Sequence, residues 1–203
     1  MGPVDYVVPA HNEQDTIRAV VLAIHAAASA RRVIVIADAC TDQTAAEAGS
    51  AWAEVVHINA ADKGSAMAAG LNMVQSNRVG FIDGDLHGLT PGDVDRLAAA
   101  PADSMAVGLR GRAARIDLFP LFSIPPIGGE RILPAAVARD AQLNGSGYAA
   151  EMRLAAAAKR AGLRTVDVPL RGVTHRTRTG PRAAMRWAQV TTGYAHYVNA
   201  RQR

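Results

Sequence analysis

The stretch Phe81-Ile82-Asp83-Gly84-Asp85-Leu86 lies where a short apolar strand, predicted over Val79–Ile82, runs into two carboxylates spaced i, i+2. In an extended chain that spacing puts both side chains on one face. At the turn ending the strand, Asp83 and Asp85 can jointly hold a hard divalent cation, Mg²⁺ or Mn²⁺, whose other ligands are phosphate oxygens. A departing diphosphate calls for such an ion, because it develops negative charge as it leaves. An isolated Asp-x-Asp is common and often no more than a solvated turn. Its weight here comes from three further strand ends upstream.

The first of these is Val7-Val8-Pro9-Ala10-His11-Asn12-Glu13. A strand is predicted over Asp5–Val8, stopped by Pro9, and a helix over Glu13–Ala30 with Asn12 as its cap. The second is the strand Arg32–Asp38, followed by Cys40-Thr41-Asp42-Gln43-Thr44, residues that suit a capped helix start. A carboxylate at Asp38 can accept hydrogen bonds from a ribose or a base. The third is Ala61-Asp62-Lys63-Gly64-Ser65-Ala66, opening a helix predicted to reach Ser76. A helix start favours anions through its unpaired N–H groups, and Lys63 adds a point charge. Of 22 basic residues only Lys63 and Lys159 are lysines, so a lysine at a candidate phosphate site stands out from the arginine-rich background. The bland alternative is an exposed helix-start lysine.

Alternating strand and helix patterns place the chain in the α/β class, with a mostly parallel central sheet flanked by helices. Beyond Asp85, Thr90 caps a helix predicted over Pro91–Ala100. A strand over Ser104–Leu109 and a loop or short helix over Arg110–Pro126 come next. A helix over Gly147–Ala161, stopped by Gly162, a strand over Arg164–Val168 and a final helix over Pro181–Tyr197 complete the reading. Ligands of such sheets lie beyond the carboxyl ends of the strands, where Pro9, Asp38 and Asp83 all fall. No Gly-x-Gly-x-x-Gly follows the first strand, which disfavours a dinucleotide-dependent dehydrogenase, and no NTPase phosphate loop is present.

At 203 residues and 49% hydrophobic composition, one globular domain with a real core is expected. No apolar run approaches the roughly 20 residues of a membrane-spanning helix. The start of the chain lacks a signal-peptide pattern, and the lone Cys40 excludes an intramolecular disulfide. A cytoplasmic location is expected. Charge is uneven: Val168–Arg203 carries seven Arg and no acid, +7 of a net +4, leaving −3 on the first 167 residues. Without a nucleic-acid module, this block suits donor phosphates, an acidic acceptor or anionic lipid better than nucleic acid; a solvated basic helix is the bland reading. In the final helix Ala184, Ala188, Thr191, Ala195 and Val198 share one stripe, and Trp187, Tyr194 and Tyr197 add amphipathic rings. That helix either docks on the core or makes peripheral contact at the inner membrane face.

The order Pro-Ala-His-Asn-Glu, Asp-Ala-Cys-Thr-Asp-Gln-Thr, Lys-Gly-Ser-Ala, Asp-Gly-Asp-Leu resembles the family 2-like glycosyltransferases of the GT-A (Rossmann-like) fold. Gly128-Gly129-Glu130-Arg131, Gly147-Tyr148-Ala149-Ala150-Glu151 and Gly172-Val173-Thr174-His175-Arg176 make the chain most similar to glucosyl-3-phosphoglycerate synthases. The resemblance implies a nucleotide-diphosphate sugar donor (UDP- or GDP-hexose), Mg²⁺ or Mn²⁺, and transfer with retention. It implies a single domain over 1–203: a nucleotide-sugar-binding half, 1–100, and an acceptor-binding and metal-completing half, 101–203. Pro9, Ala10, Glu13 and Asp38 would surround the nucleoside, with Lys63 and Gly64 nearby and Arg131 on a phosphate. Asp83, Asp85 and His175 would be metal ligands, Asp85 the foremost, and Glu151 and Glu130 would position donor or acceptor. His87 is left open, and the other histidines are read as structural. The chain is shorter than those synthases between the metal motif and Gly128, where the acceptor is recognised. Either a small phosphorylated or acidic acceptor or a polyprenyl phosphate is therefore expected. A homodimer is left open. The rival classes are a nucleotide-sugar-binding protein without transfer and a basic nucleic-acid-binding module.

Overall fold

A computed structural model describes residues 2–110, 128–175 and Tyr197. The predicted loop Arg110–Pro126 and final helix Pro181–Tyr197 lie outside these residues, apart from Arg110 and Tyr197. The strands are β1 (Val4–Ala10), β2 (Ala30–Asp38), β3 (Glu54–Ile58), β4 (Arg78–Phe81), β5 (Leu86–His87), β6 (Ser104–Arg110), β7 (Arg131–Pro134), β8 (Arg164–Leu170) and β9 (Thr174–His175). The helices are α1 (Ile17–His25), α2 (Thr44–Ser50), α3 (Lys63–Met73), α4 (Pro91–Ala98), α5 (Ala135–Arg139) and α6 (Ala150–Arg160), with a 3₁₀ turn at Gly147–Ala149 before α6.

Seven strands form one sheet in the order β3-β2-β1-β4-β7-β6-β8, and β5 pairs with β9 in a separate two-stranded ribbon. The large sheet is parallel except at β7, which runs antiparallel to both β4 and β6. The sequence reading contained neither β3 nor β7. Strands β1 and β2 read as near-continuous apolar runs because both of their faces are covered. Period-two alternation splits them cleanly: Tyr6, Val8, Val33 and Val35 enter one core, and Val7, Ile34 and Ile36 the other. Helices α1 and α4 cover the first face through Ile17, Val21, Ile24, Val94 and Leu97. Helices α3, α5 and α6 cover the second through Met67, Leu71, Ala138 and Leu154. Truncating a residue such as Ile34 to Ala costs about 2–5 kcal/mol on this packing.

Helix α1 is shorter at both ends than the predicted Glu13–Ala30. Asn12 is not its cap: it adopts φ 57° and bonds Thr41, while the Glu13 N–H donates to Thr44 Oγ1 at 2.7 Å. Residues 12–16 are thus tied to the β2–α2 turn instead of winding into a helix. At the other end the N–H groups of Ala28 and Ser29 donate to the Asp95 carboxylate and draw the chain away. Helix α4 matches its signals, with a full Thr90–Asp93 capping box and Pro91 in the first turn. Gly162 (φ 70°) ends α6 as predicted. Among the described residues no helix is long and apolar enough to cross a membrane. Tyr197 packs against the second core, with Lys159 Nζ 5.2 Å from its ring centroid.

Candidate active site

The carboxyl ends of β1, β2 and β4 and the start of α3 enclose a cavity of about 170 Å³. Of the residues given a role from sequence, Pro9, Ala10, Glu13, Asp38, Lys63, Asp83 and Asp85 line it. His11, Ala61, Asp62, Ala66, Gly84 and Tyr148 line it as well, without having been given a role. His11 sits inside the Pro-Ala-x-Asn-Glu motif and Tyr148 beside Glu151 in the chain, and their neighbours were the available signal. Three non-glycine residues at these strand ends, Asn12, Ala39 and Ala61, hold positive φ of 50–57°. Such backbone costs on the order of 1 kcal/mol or more per residue and persists only where its surroundings over-determine it.

Asp38 supplies that over-determination at Ala61. Its Oδ1 accepts the N–H groups of Ala60 and Ala61 and its Oδ2 that of Asp62, each at 2.8 Å. The carboxylate expected to meet ribose or base is therefore committed first to shaping the 60–62 loop. Asp62 caps α3 in turn, its Oδ2 accepting from the Ser65 N–H and hydroxyl, each at 2.7 Å. This chain of bonds sets where Lys63 stands.

Lys63 Nζ lies 2.7 Å from Asp83 Oδ1 and 2.6 Å from Glu151 Oε1, with the lysine side chain only 17% exposed. Burial alone lowers a lysine's pKa, but the charges of Asp83 and Glu151 outweigh it and raise Lys63 above its ordinary value. Behind this pair Glu130 is fully enclosed, its Oε1 accepting from Arg110 at 2.9 Å. Its Oε2 finds no hydrogen-bond partner among the described residues. Burial, and then the charge of Asp83, push the Glu130 carboxyl up to about 7. Burial followed by Asp83 also raises Asp85, while Lys63, His175 and Arg110 pull it back. Among the described residues, the acids Asp83, Asp85, Glu130 and Glu151 thus share their surroundings with the cations Lys63, Arg110 and Arg131.

Three expectations are corrected. Glu130, expected to position donor or acceptor, is fully enclosed and does not line the cavity. Arg131 is fully buried on β7, its Nε donating to the Gly128 carbonyl at 2.9 Å and its Nη1 lying 3.6 Å from Met105 Sδ. It is an internal counter-charge beneath the acids, where a phosphate has no access. Gly64 does not line the cavity: a Cβ there would meet Ser146 Oγ at 2.1 Å and the Leu143 carbonyl at 2.3 Å. Its lack of a side chain serves the packing of α3 on the 143–146 turn. Gly129 plays the comparable part for Asp83, whose Oδ2 would lie 2.1 Å from an added Cβ.

Among the described residues no three His, Cys, Asp or Glu side chains form a ready metal-binding group. The expected set Asp83, Asp85 and His175 is thus not assembled in advance. Its donors nonetheless fit a hard divalent ion. The β5–β9 ribbon pairs Leu86 with His175, bringing that histidine alongside Asp85, and the two aspartates supply hard oxygen ligands.

A family model described as glycosyl transferase family 2 matches residues 5–107, more than half of the chain. The chain belongs to glycosyl transferase family 2. It is a glycosyltransferase, and the match takes in β1 to β4 and the Asp83–Asp85 motif. No curated protein sequence matches it. Among solved structures, glucosyl-3-phosphoglycerate synthase from Mycobacterium tuberculosis, in complex with Mn²⁺ and uridine-diphosphate-glucose, has a TM-score of 0.81 at 23% identity, over 97% of this chain and 79% of that one. The same enzyme with Mg²⁺ and uridine-diphosphate gives 0.77 at 23% identity, over 96% and 80%. Mannosyl-3-phosphoglycerate synthase from Rubrobacter xylanophilus gives 0.80 at 22% identity, over 99% and 75%. At these identities the likeness is one of fold, and the fold of this transferase is GT-A.

Proposed function

We propose that this glycosyltransferase moves a hexosyl group from a uridine or guanosine diphosphate sugar to a small acidic acceptor, with retention and with Mg²⁺ or Mn²⁺. The observation carrying this reading is the convergence of Asp83, Asp85 and Lys63 at one cavity beyond the carboxyl ends of the strands, with Glu151 paired to Lys63 behind it. Support for the donor and ion comes from structural neighbours holding UDP or UDP-glucose with Mg²⁺ or Mn²⁺. Support for the acceptor class comes from the neighbour that holds phosphoglyceric acid.

In this reading Pro9, Ala10 and Glu13 wall the nucleoside, and Asp38 acts through the loop it holds. Asp83 and Asp85 hold the ion, with His175 as a further ligand. When bound, the ion neutralises charge on the departing diphosphate. Lys63 presents its ammonium to the same region, and Glu151, at the first turn of α6, aligns that ammonium toward the sugar. Glu130, too deeply enclosed to touch substrate, sets the field behind Asp83. Buried, preorganised charges of this kind act strongly because little water screens them.

Incubating the protein with UDP-glucose or GDP-mannose, Mn²⁺ and candidate acids tests this reading. Metal-dependent release of UDP or GDP, abolished by chelator, is expected. Binding of nucleotide sugar without any hydrolysis or transfer would instead establish a non-catalytic binding protein. A polyprenyl-phosphate acceptor has one observation in its favour, the +7 charge of Val168–Arg203. Co-sedimentation with anionic liposomes at low salt would support it, since basic residues contribute about 1 kcal/mol each near such a surface.

A further inference from the structure

Lys63 meets a carboxylate that a divalent ion would also use. Its Nζ is 2.7 Å from Asp83 Oδ1, so an ion approaching that oxygen meets an ammonium already on it. The contact is well shielded: the side chains of Lys63 and Asp83 are 17% and 20% exposed. A second anchor, Glu151 Oε1 at 2.6 Å with its side chain 11% exposed, holds the ammonium from the other side. The two anchors come from different layers, Asp83 from the end of β4 and Glu151 from α6, and Lys63 opens α3 between them.

Resting on the donor-site reading above, we infer that Lys63 is a built-in counter-cation that holds Asp83 closed against a bare divalent ion and gives it up when the ion arrives with a nucleotide diphosphate. A divalent ion alone must compete with the Lys63 ammonium for Asp83 and lie close beside it. Weakening a shielded pair forfeits its attraction, and the two cations repel each other. A nucleotide diphosphate changes both terms. Its oxygens supply the ion's remaining ligands and give the released ammonium an anion to meet, while Glu151 keeps that ammonium in the site. Lys63 is therefore a positioning residue that couples metal uptake to donor uptake, and the coupling is reciprocal, as linkage requires.

The experiment is a titration of the full chain with Mn²⁺, followed by electron paramagnetic resonance, without UDP and with saturating UDP, correcting for Mn²⁺ on free UDP. Wild-type protein should bind Mn²⁺ weakly alone and at least about tenfold more tightly with UDP. In Lys63→Met, affinity for Mn²⁺ alone should rise and the UDP enhancement should shrink by about tenfold. A general loss of positive charge would instead strengthen both titrations equally and leave the enhancement unchanged, overturning the inference. Should Lys63→Met fail to fold, wild-type protein still decides, because equal Mn²⁺ affinity with and without UDP overturns it. Lys63→Arg, which keeps a cation on Asp83, should retain the full enhancement. Failure of UDP to bind wild-type protein under any condition would sink the donor reading itself, a different result from UDP and Mn²⁺ binding without dependence on Lys63.

Discussion

At the amino ends of the strands Asp5 is completely enclosed, yet every contact around it is met. Its Oδ2 accepts the N–H groups of Gln75 and Ser76 at 2.7 and 3.0 Å, and Arg31 Nη1 reaches both oxygens at 3.1 and 3.2 Å. At the carboxyl ends the enclosed Glu130 leaves one oxygen without a hydrogen-bond partner among the described residues, and burial followed by the charge of Asp83 raises both Glu130 and Asp85. The same sheet thus carries a satisfied acid at one end and an electrostatically strained cluster at the other. The first arrangement contributes stability, whereas the second gives some up to a site whose charges are arranged for a ligand.

The largest effect expected from this contrast is on activity. Asp85→Ala should lower kcat/KM roughly 10²–10³-fold, as loss of a preorganised charge contact does, measured by release of UDP or GDP from the donor. Its thermal midpoint should be unchanged or higher, because one acid leaves a crowded group. Undiminished turnover would remove the metal assignment. At the other end, Asp5→Ala should destabilise the fold by on the order of 3 kcal/mol in urea unfolding, since it strands two main-chain donors and Arg31. Activity per folded molecule should stay the same. Equal stability losses for the two substitutions would break the comparison between the ends.

Glu130 sharpens the comparison through pH. Its carboxyl is held at about 7 in the fold, against an ordinary glutamate value near 4.5 in the unfolded chain. Between those values the folded state binds more protons, so stability falls as pH rises through that window. The full contribution is present below about 4.5 and is lost above about 7, on the order of 3 kcal/mol in all. Urea unfolding of Glu130→Gln should lose that slope and be more stable than wild type at pH 8. An unchanged slope would mean that Arg110 compensates Glu130 fully.

The strand ends and the GT-A class were legible because Asp38 and Asp83 each close an apolar run, a local signal; Pro9, expected to stop β1, instead lies within it, paired with Ile36. Lys63 was legible as a candidate from its place at a helix start, sharpened by the scarcity of lysine in the chain. Its two anchors were not, because Glu151 lies 88 residues away and Asp83 on another strand. The commitment of Asp38 to the 60–62 loop was hidden for the same reason. Strand β7 escaped because Arg131-Ile132-Leu133-Pro134 is four residues long and carries an arginine and a proline. Only burial between β4 and β6 makes it a strand, and that burial turns Arg131 from an expected phosphate contact into an internal counter-charge. Asn12 misled as a helix cap because its side chain found Thr41 instead.

The smallest expected effect concerns His175, where the two-stranded ribbon meets the charged end of the sheet. Its place opposite Leu86 depends only on a two-residue pairing, Leu86↔His175 and His87↔Thr174, and both Thr174 and His175 are exposed. So short a ribbon contributes little to stability by itself, and His175→Ala should leave the urea midpoint unchanged. If the imidazole completes the coordination begun by Asp83 and Asp85, removing it should raise the Mn²⁺ concentration for half-maximal activity by about tenfold. Saturating Mn²⁺ should restore most of kcat, which separates loss of a ligand from loss of a substrate contact. The effect should also be smaller than that of Asp85→Ala, because Asp85 brings negative charge to a divalent ion and a neutral imidazole brings only a lone pair. An unchanged metal requirement would leave His175 as an ordinary exposed strand residue and confine the metal-binding end of the molecule to β4 and the turn that follows it.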